Sequence, residues 1–179
     1  MTPKQNFLET VKWGHPEYLA TNLDGLFLML DPLTGAYDEE MKDEWGCQWG
    51  YGNKEYNPFP CILPGHDVIT DIENWKEQVT VPNVEKIDFS QVKEIAAGVD
   101  REQYLVGMSN SCGLFERSHA LMGFENSLMC MLTDPDEYAE LLDCVLEFKK
   151  AYAKKLYEAT EIDVFYYHDD WGSKISLFF

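Results

Sequence analysis

Apolar and polar positions alternate most clearly over the stretch that begins at Pro135. Tyr138, Leu141, Leu142, Val145, Phe148, Tyr152 and Leu156 recur at steps of three and four, one stripe of a long helix. Thr133-Asp134-Pro135-Asp136-Glu137 precedes it. Asp134 reads as the N-cap, Pro135 as the first helical residue and Glu137 as the capping-box acid. Lys149, Lys150, Lys154 and Lys155 lie toward its C-terminal end, where they suit the helix dipole. Shorter helices are predicted from Pro3 to Gly14, with Phe7, Leu8 and Val11 at helical spacing, and over Asp71–Val79, Asp88–Gly98, Leu114–Met122 and Phe124–Leu132. Three short apolar runs read as strands: Leu23–Leu30, Tyr104–Met108 and Ile162–Tyr167.

Strands separated by helices imply parallel pairing through right-handed crossovers, so the fold class is α/β. An open doubly wound sheet and a partial barrel both fit this alternation. One stretch has neither period. Asp43–Gly65 (DEWGCQWGYGNKEYNPFPCILPG) mixes Gly, Pro, Asn and aromatics, and predicts an ordered irregular segment or a hairpin. No linker, repeat or low-complexity tract interrupts the chain, so residues 1–179 read as a single domain.

Charge narrows the partners. There are 32 acidic residues against 14 basic ones, a net charge of -18. Such a surface repels phosphate backbones and anionic lipid, which argues against nucleic-acid and membrane binding. The first residues, MTPKQNFLETVKWG, form a polar amphipathic helix and not an apolar signal region, and the five cysteines include no CxxC pair. The expectation is a cytoplasmic protein with free thiols.

Candidate chemistry gathers where predicted strands end. His168-Asp169-Asp170-Trp171-Gly172-Ser173 follows the last strand, and in α/β folds that edge is where ligands bind. An imidazole and two carboxylates there can bind a cation, hold a substrate hydroxyl or move a proton, or can simply cap the next helix. Ser109–Arg117 (SNSCGLFER) is the second such place, with Glu116 and Arg117 able to pair or to face a pocket. Asp43-Glu44-Trp45-Gly46 is the third, ahead of the aromatic segment. The histidines are isolated, with no HExxH and no cysteine at ligand spacing, so no metal site is predicted. No GxGxxG, P-loop or GxSxG occurs, and no cofactor is bound by a recognisable motif.

Several segments together resemble the uroporphyrinogen decarboxylase superfamily: the opening TPKQNFLETVKWGHPEY, the DEWGCQWG stretch, and GLFERSHALMGFENSLMCMLTDPDEYAELLD followed by IDVFYYHDDWGS. The similarity covers nearly the whole chain in order. It is closest to the branch of methyltransferases and O-demethylases that act with corrinoid proteins. The resemblance implies a TIM-type (β/α)8 barrel of the uroporphyrinogen decarboxylase type, with its active site at the C-terminal mouth of the strands. It implies an enzyme that moves a methyl group between a small methylated substrate and a corrinoid (cobalamin) carried by a partner protein. Decarboxylation of a porphyrinogen in tetrapyrrole biosynthesis is the alternative. Carried over, Asp169, Asp170 and His168 are the catalytic candidates. Glu116, Arg117, Asp43 and Trp45 are the substrate-binding ones.

Two departures qualify these expectations. The arginine-bearing N-terminal motif of the decarboxylase (PxWxMRQAGR) is absent, which weakens the case for a multiply carboxylated substrate. The His-x-Cys and distant Cys of the zinc-dependent methyltransferases also have no counterpart. A full barrel takes ~250 residues. The expectation is therefore the N-terminal part of a barrel, or a non-catalytic half-barrel whose open edges favour a homo-oligomer.

Overall fold

Thr2 starts the first helix by satisfying amides that a helix cannot satisfy itself. Its hydroxyl accepts from the Gln5 N–H, the Gln5 side chain accepts from the Thr2 N–H, and Pro3 needs no donor at the first position, giving α1 (Pro3–Val11). In chain order there follow β1 (Leu26–Leu30), β2 (Trp49–Gly50), β3 (Cys61–Ile62) and α2 (Trp75–Gln78). Then come α3 (Ser90–Ala97), β4 (Leu105–Asn110), α4 (Leu114–Met122), α5 (Phe124–Thr133), α6 (Pro135–Thr160) and β5 (Val164–Tyr167). Single 3₁₀ turns cover Ile72–Asn74 and Val84–Lys86. This is a computed structural model, and it describes residues 1–21, 24–52, 58–110 and 112–178. Expectations that fall on Leu23, residues 53–57, Ser111 and Phe179 lie outside the described residues.

The chain divides into two compact units, one made of residues 1–34, 87–110 and 153–167 and the other of residues 35–86, 111–152 and 168–179. The first unit is built on a parallel sheet in the order β1-β4-β5. Leu26 pairs with Leu105 and Leu30 with Ser109 on one side of β4, while Gly107 pairs with Val164 and Asn110 with Tyr167 on the other. The central strand is buried on both faces from Leu105 to Met108, which is why it reads as a continuous apolar run. On β1 only Leu26 and Met29 are buried, and on β5 Phe165, Tyr166 and Tyr167 are exposed. Asp163 fixes the entry to β5. Its carboxylate accepts from the Val106 N–H at 2.8 Å while its own N–H donates to the Val106 carbonyl. Arg101 donates to the Thr160 and Glu161 carbonyls, supplying partners that the C-terminal end of α6 lacks.

The second unit holds the antiparallel pair β2–β3 and the helices α2, α4 and α5, with residues 135–152 of α6. The aromatic segment thus contains a short antiparallel pair, in line with one of the two outcomes its sequence left open. On α6, Tyr138, Leu141, Val145, Phe148, Tyr152 and Leu156 are buried and Leu142 is half-buried, so the predicted stripe is the buried one. Ser118, Ser127 and Tyr138 join α4, α5 and α6 in a closed ring of hydroxyls, with O···O distances of 2.7, 2.7 and 2.9 Å. No helix among the described residues is long and apolar enough to cross a membrane.

The barrel expectation is overturned. Among the described residues there is a three-stranded parallel sheet and a two-stranded antiparallel one, and this is not a (β/α)8 barrel. Closure needs every strand paired on both sides with a fixed stagger, whereas β1 and β5 each pair with β4 alone. The hydrophobic pattern encodes each strand-helix-strand step but not how many steps a sheet takes before it closes, so it suits either outcome. Around Gly25 the backbone is unforgiving. Its φ is +74°, and a Cβ there would lie 2.3 Å from the Pro3 carbonyl oxygen. Gly25→Ala is therefore expected to cost about 1–3 kcal/mol, read as a lower urea midpoint with an unchanged slope. A midpoint equal to wild type would remove this contact as a constraint.

Candidate functional site

Helix α4 organises the second unit's polar residues because its N-terminus is incomplete. Gly113 occupies the N-cap and brings no side chain to it. Glu116 makes half of a capping box, its Oε2 accepting from the Gly113 N–H at 3.0 Å. The missing half comes from far along the chain. Asp169 accepts from the Phe115 N–H at 3.2 Å and from the Glu116 N–H at 3.0 Å, and its Oδ1 also takes the Asp170 N–H at 3.1 Å. Only glycine fits beneath it, since a Cβ on residue 113 would sit 2.2 Å from the Asp169 Cγ. The carboxylate of Asp169 is thus a borrowed N-cap that fixes the 168–170 segment against the first turn of α4.

His168 and Asp170 flank that anchor. The Nδ1 of His168 lies 3.1 Å from the Glu116 Oε1. Glu116, His168 and Asp170 each bring one ligand atom into a group whose members lie within 4.8 Å of one another. Glu116 is half-buried, while His168 and Asp170 are exposed. His119, one turn further along α4, packs edge-on against Phe115 and Phe124. Burial lowers its pKa, against the opposing pull of the Glu116, Asp170 and Asp169 carboxylates.

The next residue of α4 enters a different environment. Arg117 is 4% exposed. It donates from Nη1 to Asp43 Oδ2 at 2.6 Å and from Nη2 to Glu44 Oε1 at 3.2 Å, with Cys47 Sγ at 3.6 Å from Nη1. The guanidinium lies over the Trp45 ring, 5.5 Å from its centroid. Burial acts against its charge, and the surrounding Cys112, Asp43, Glu44 and Cys47 groups raise its pKa; with both thiols protonated at neutral pH, the ionic share comes from the carboxylates. Asp43 is saturated, accepting also from the Trp45 and Cys47 N–H groups and from the Trp49 indole. Burial raises the Glu44 carboxyl, with Arg117 opposing. Among the described residues, Arg117 Nε and Trp45 Nε1 are buried donors without an acceptor. Trp45 is itself buried edge-on against Phe148.

All seven site residues expected from the sequence fall into these two clusters, joined by the consecutive pair Glu116–Arg117. Asp43, Trp45 and Arg117 lie in the buried one. Glu116, His168, Asp169 and Asp170 lie in the accessible one. Cys47 and Cys112 stand around Arg117; Cys112 lies within the Ser109–Arg117 stretch expected from the sequence, and Cys47 is a residue the sequence reading missed. Burial pushes Cys112 up to about 11, and it pushes Cys47 well above the ordinary thiol value. Asp31 in the first unit was missed too; it forms a buried pair with Asn110, a residue of that same stretch, at the ends of β1 and β4, bonded at 3.1 Å. A signal was present for the first case, since Cys47 sits four residues after Asp43 within one irregular loop. None marked the second, because Asp31-Pro32 also reads as a plain turn. No protein-family model, curated protein or solved structure matches the chain.

Removing Arg117 would leave the buried Asp43 and the half-buried Glu44 carboxylates without their cation. Arg117→Ala is expected to cost about 3–5 kcal/mol, measured by urea denaturation, and a loss below about 1 kcal/mol would mean the pair behaves as a surface one. Brief native-state alkylation with mass spectrometry checks the thiols, for the thiolate is the reactive form. Cys47 is expected to label last of the five, and early labelling would contradict its burial.

Proposed function

We propose that this chain is a uroporphyrinogen decarboxylase-like protein that moves a methyl group between a small methoxylated, methylamine or thiol compound and a corrinoid delivered by a partner protein. One observation carries the reading. Three of the segments that resemble the corrinoid-linked branch lie far apart in sequence, and their polar side chains meet. Asp43 and Glu44 hold Arg117, and Glu116 holds His168 beside Asp169 and Asp170. The reading rests on that convergence of the resembling segments.

In the reaction the bond between methyl and heteroatom breaks and a methyl–cobalt bond forms. The reduced cobalt of the corrinoid substrate supplies the electron pair, and the heteroatom leaves with its own pair and takes up a proton. His168 is placed to give that proton from Nε2, with Glu116 fixing the ring through Nδ1. Asp170, whose carboxylate is exposed beside it, orients the polar end of the substrate. Glu116 and Asp169 position these two, and the buried Arg117 holds the scaffold. Among the described residues, the group able to hold a metal contains no cysteine.

Decarboxylation is the weaker reading because it needs free cations for the substrate's carboxylates. The sequence has two arginines, Arg101 and Arg117, and both are engaged by the protein's own acceptors. The five cysteines are free, which favours a reducing compartment, and we place the protein in the cytoplasm.

The test mixes the purified chain with free cob(I)alamin and a panel of methoxyaromatic, methylamine and methylthiol donors, and follows methylcobalamin by absorbance. At least one donor is expected to react, and His168→Ala to slow it by about 10²–10⁴-fold without altering the melting curve. Absence of transfer from every donor, with the chain folded, would sink the proposal. Turnover of a porphyrinogen instead would move the function to decarboxylation.

A further inference from the structure

We propose that Glu116, His168 and Asp170 form a binding site for one divalent first-row transition-metal ion. The site rests on these side chains alone and stands whether or not the chain transfers methyl groups. Glu116 Oε1 and His168 Nδ1 are 3.1 Å apart. Two ligands at right angles on a metal with bonds of about 2.1 Å stand about 3 Å apart, so an ion can replace the proton between them. The third ligand atom comes from Asp170, and the group offers one ligand atom from each residue, all within 4.8 Å of one another. Asp170 is exposed and has the rotamer freedom to close on an ion.

Two further observations separate this cluster from an ordinary acidic patch. The first is that its charge is not neutralised by the protein. Among the described residues no lysine or arginine pairs with Glu116 or Asp170, although basic side chains pair with acids elsewhere on the chain. Two carboxylates and a neutral imidazole offer a charge of about -2, which matches a divalent ion. The second is that the ligands are positioned in advance. Asp169 caps α4 and so locks the segment bearing His168 and Asp170 to the turn bearing Glu116, whose other oxygen is held by the Gly113 N–H. Metal sites depend on such outer contacts to aim their ligands.

The donor set fixes the class of ion. One imidazole with two carboxylates and no thiolate suits zinc, iron, cobalt or manganese over soft copper(I), and three protein ligands leave coordination positions open. The open positions are suited to an oxygen, nitrogen or sulfur atom of a small substrate, which the ion would polarise in place of the His168 proton.

The test is a calorimetric titration of Zn²⁺ into chelator-treated protein, repeated with Co²⁺ and read by visible absorption. One ion per chain is expected. His168→Ala and Asp170→Asn are each expected to weaken binding tenfold or more, and His66→Ala to leave it unchanged. Both ligand positions are exposed, so circular dichroism is expected to overlay with wild type. No saturable binding, or wild-type affinity in both ligand variants, would overturn the site. A chain that binds zinc but moves no methyl group keeps the site and loses the proposed activity. A chain that moves methyl groups without binding zinc or cobalt does the reverse.

Discussion

Arg117 is the residue on which the second unit's polar architecture depends. A guanidinium at 4% exposure is tolerable only because Asp43 and Glu44 face it and the Trp45 ring lies beneath it. The constraint runs outward from there. Asp43 serves Arg117 and at the same time collects the Trp45 and Cys47 amides and the Trp49 indole, so one carboxylate shapes the loop from 43 to 49. Replacing the whole cluster by apolar side chains of equal volume would be energetically neutral or better in many proteins, while removing one partner would not. The pair is therefore read as a specifier of loop conformation, with little net stability of its own.

Consecutive residues on α4 divide the labour. Arg117 turns to the buried cluster, and Glu116 turns to His168 and the accessible one. Neighbours in a helix lie about 100° apart around the axis, so one turn of helix can hold a rigid internal anchor and an exposed functional face together. Asp169 completes the arrangement by acting as the cap that Gly113 cannot be. A glycine N-cap with an acid three residues on is half of a capping box. In this chain the other half arrives from 56 residues further along the sequence, Gly113 to Asp169.

Which features the sequence disclosed follows from the range of the interactions involved. The bounds of α4, the break at Gly123 and the buried stripe of α6 were legible, because caps, glycine and three-four periodicity act within a few residues. The parallel pairing of β1, β4 and β5 was legible from the intervening helices. The number of strands was not, since closure depends on partners at both edges and leaves no local mark. Asp43, Glu116, Arg117 and His168–Asp170 were legible as candidates, because polar residues after an apolar run, or within an aromatic loop, are out of pattern. Their division into a buried and an accessible cluster was not legible. Arg117 as a substrate contact and Arg117 as an internal anchor have the same sequence; only burial separates them. Asp169 likewise reads as a partner of Asp170, and its commitment to backbone amides belongs to tertiary structure.

The net charge of -18 takes on a sharper meaning beside these placements. Both arginines are drawn onto the protein's own carbonyls and carboxylates, which removes the two side chains best suited to forked recognition of an anion. The accessible cluster meanwhile gathers carboxylates around an imidazole, and among the described residues no lysine or arginine pairs with Glu116 or Asp170. An acidic surface concentrates cations in the surrounding solvent, and the concentration is greatest where carboxylates without a lysine or arginine partner converge. Such a field disfavours a polycarboxylate entering past His168 and Asp170. It favours a neutral or cationic small molecule, or an ion, at the same place. The long-range charge and the short-range geometry thus select the same class of ligand.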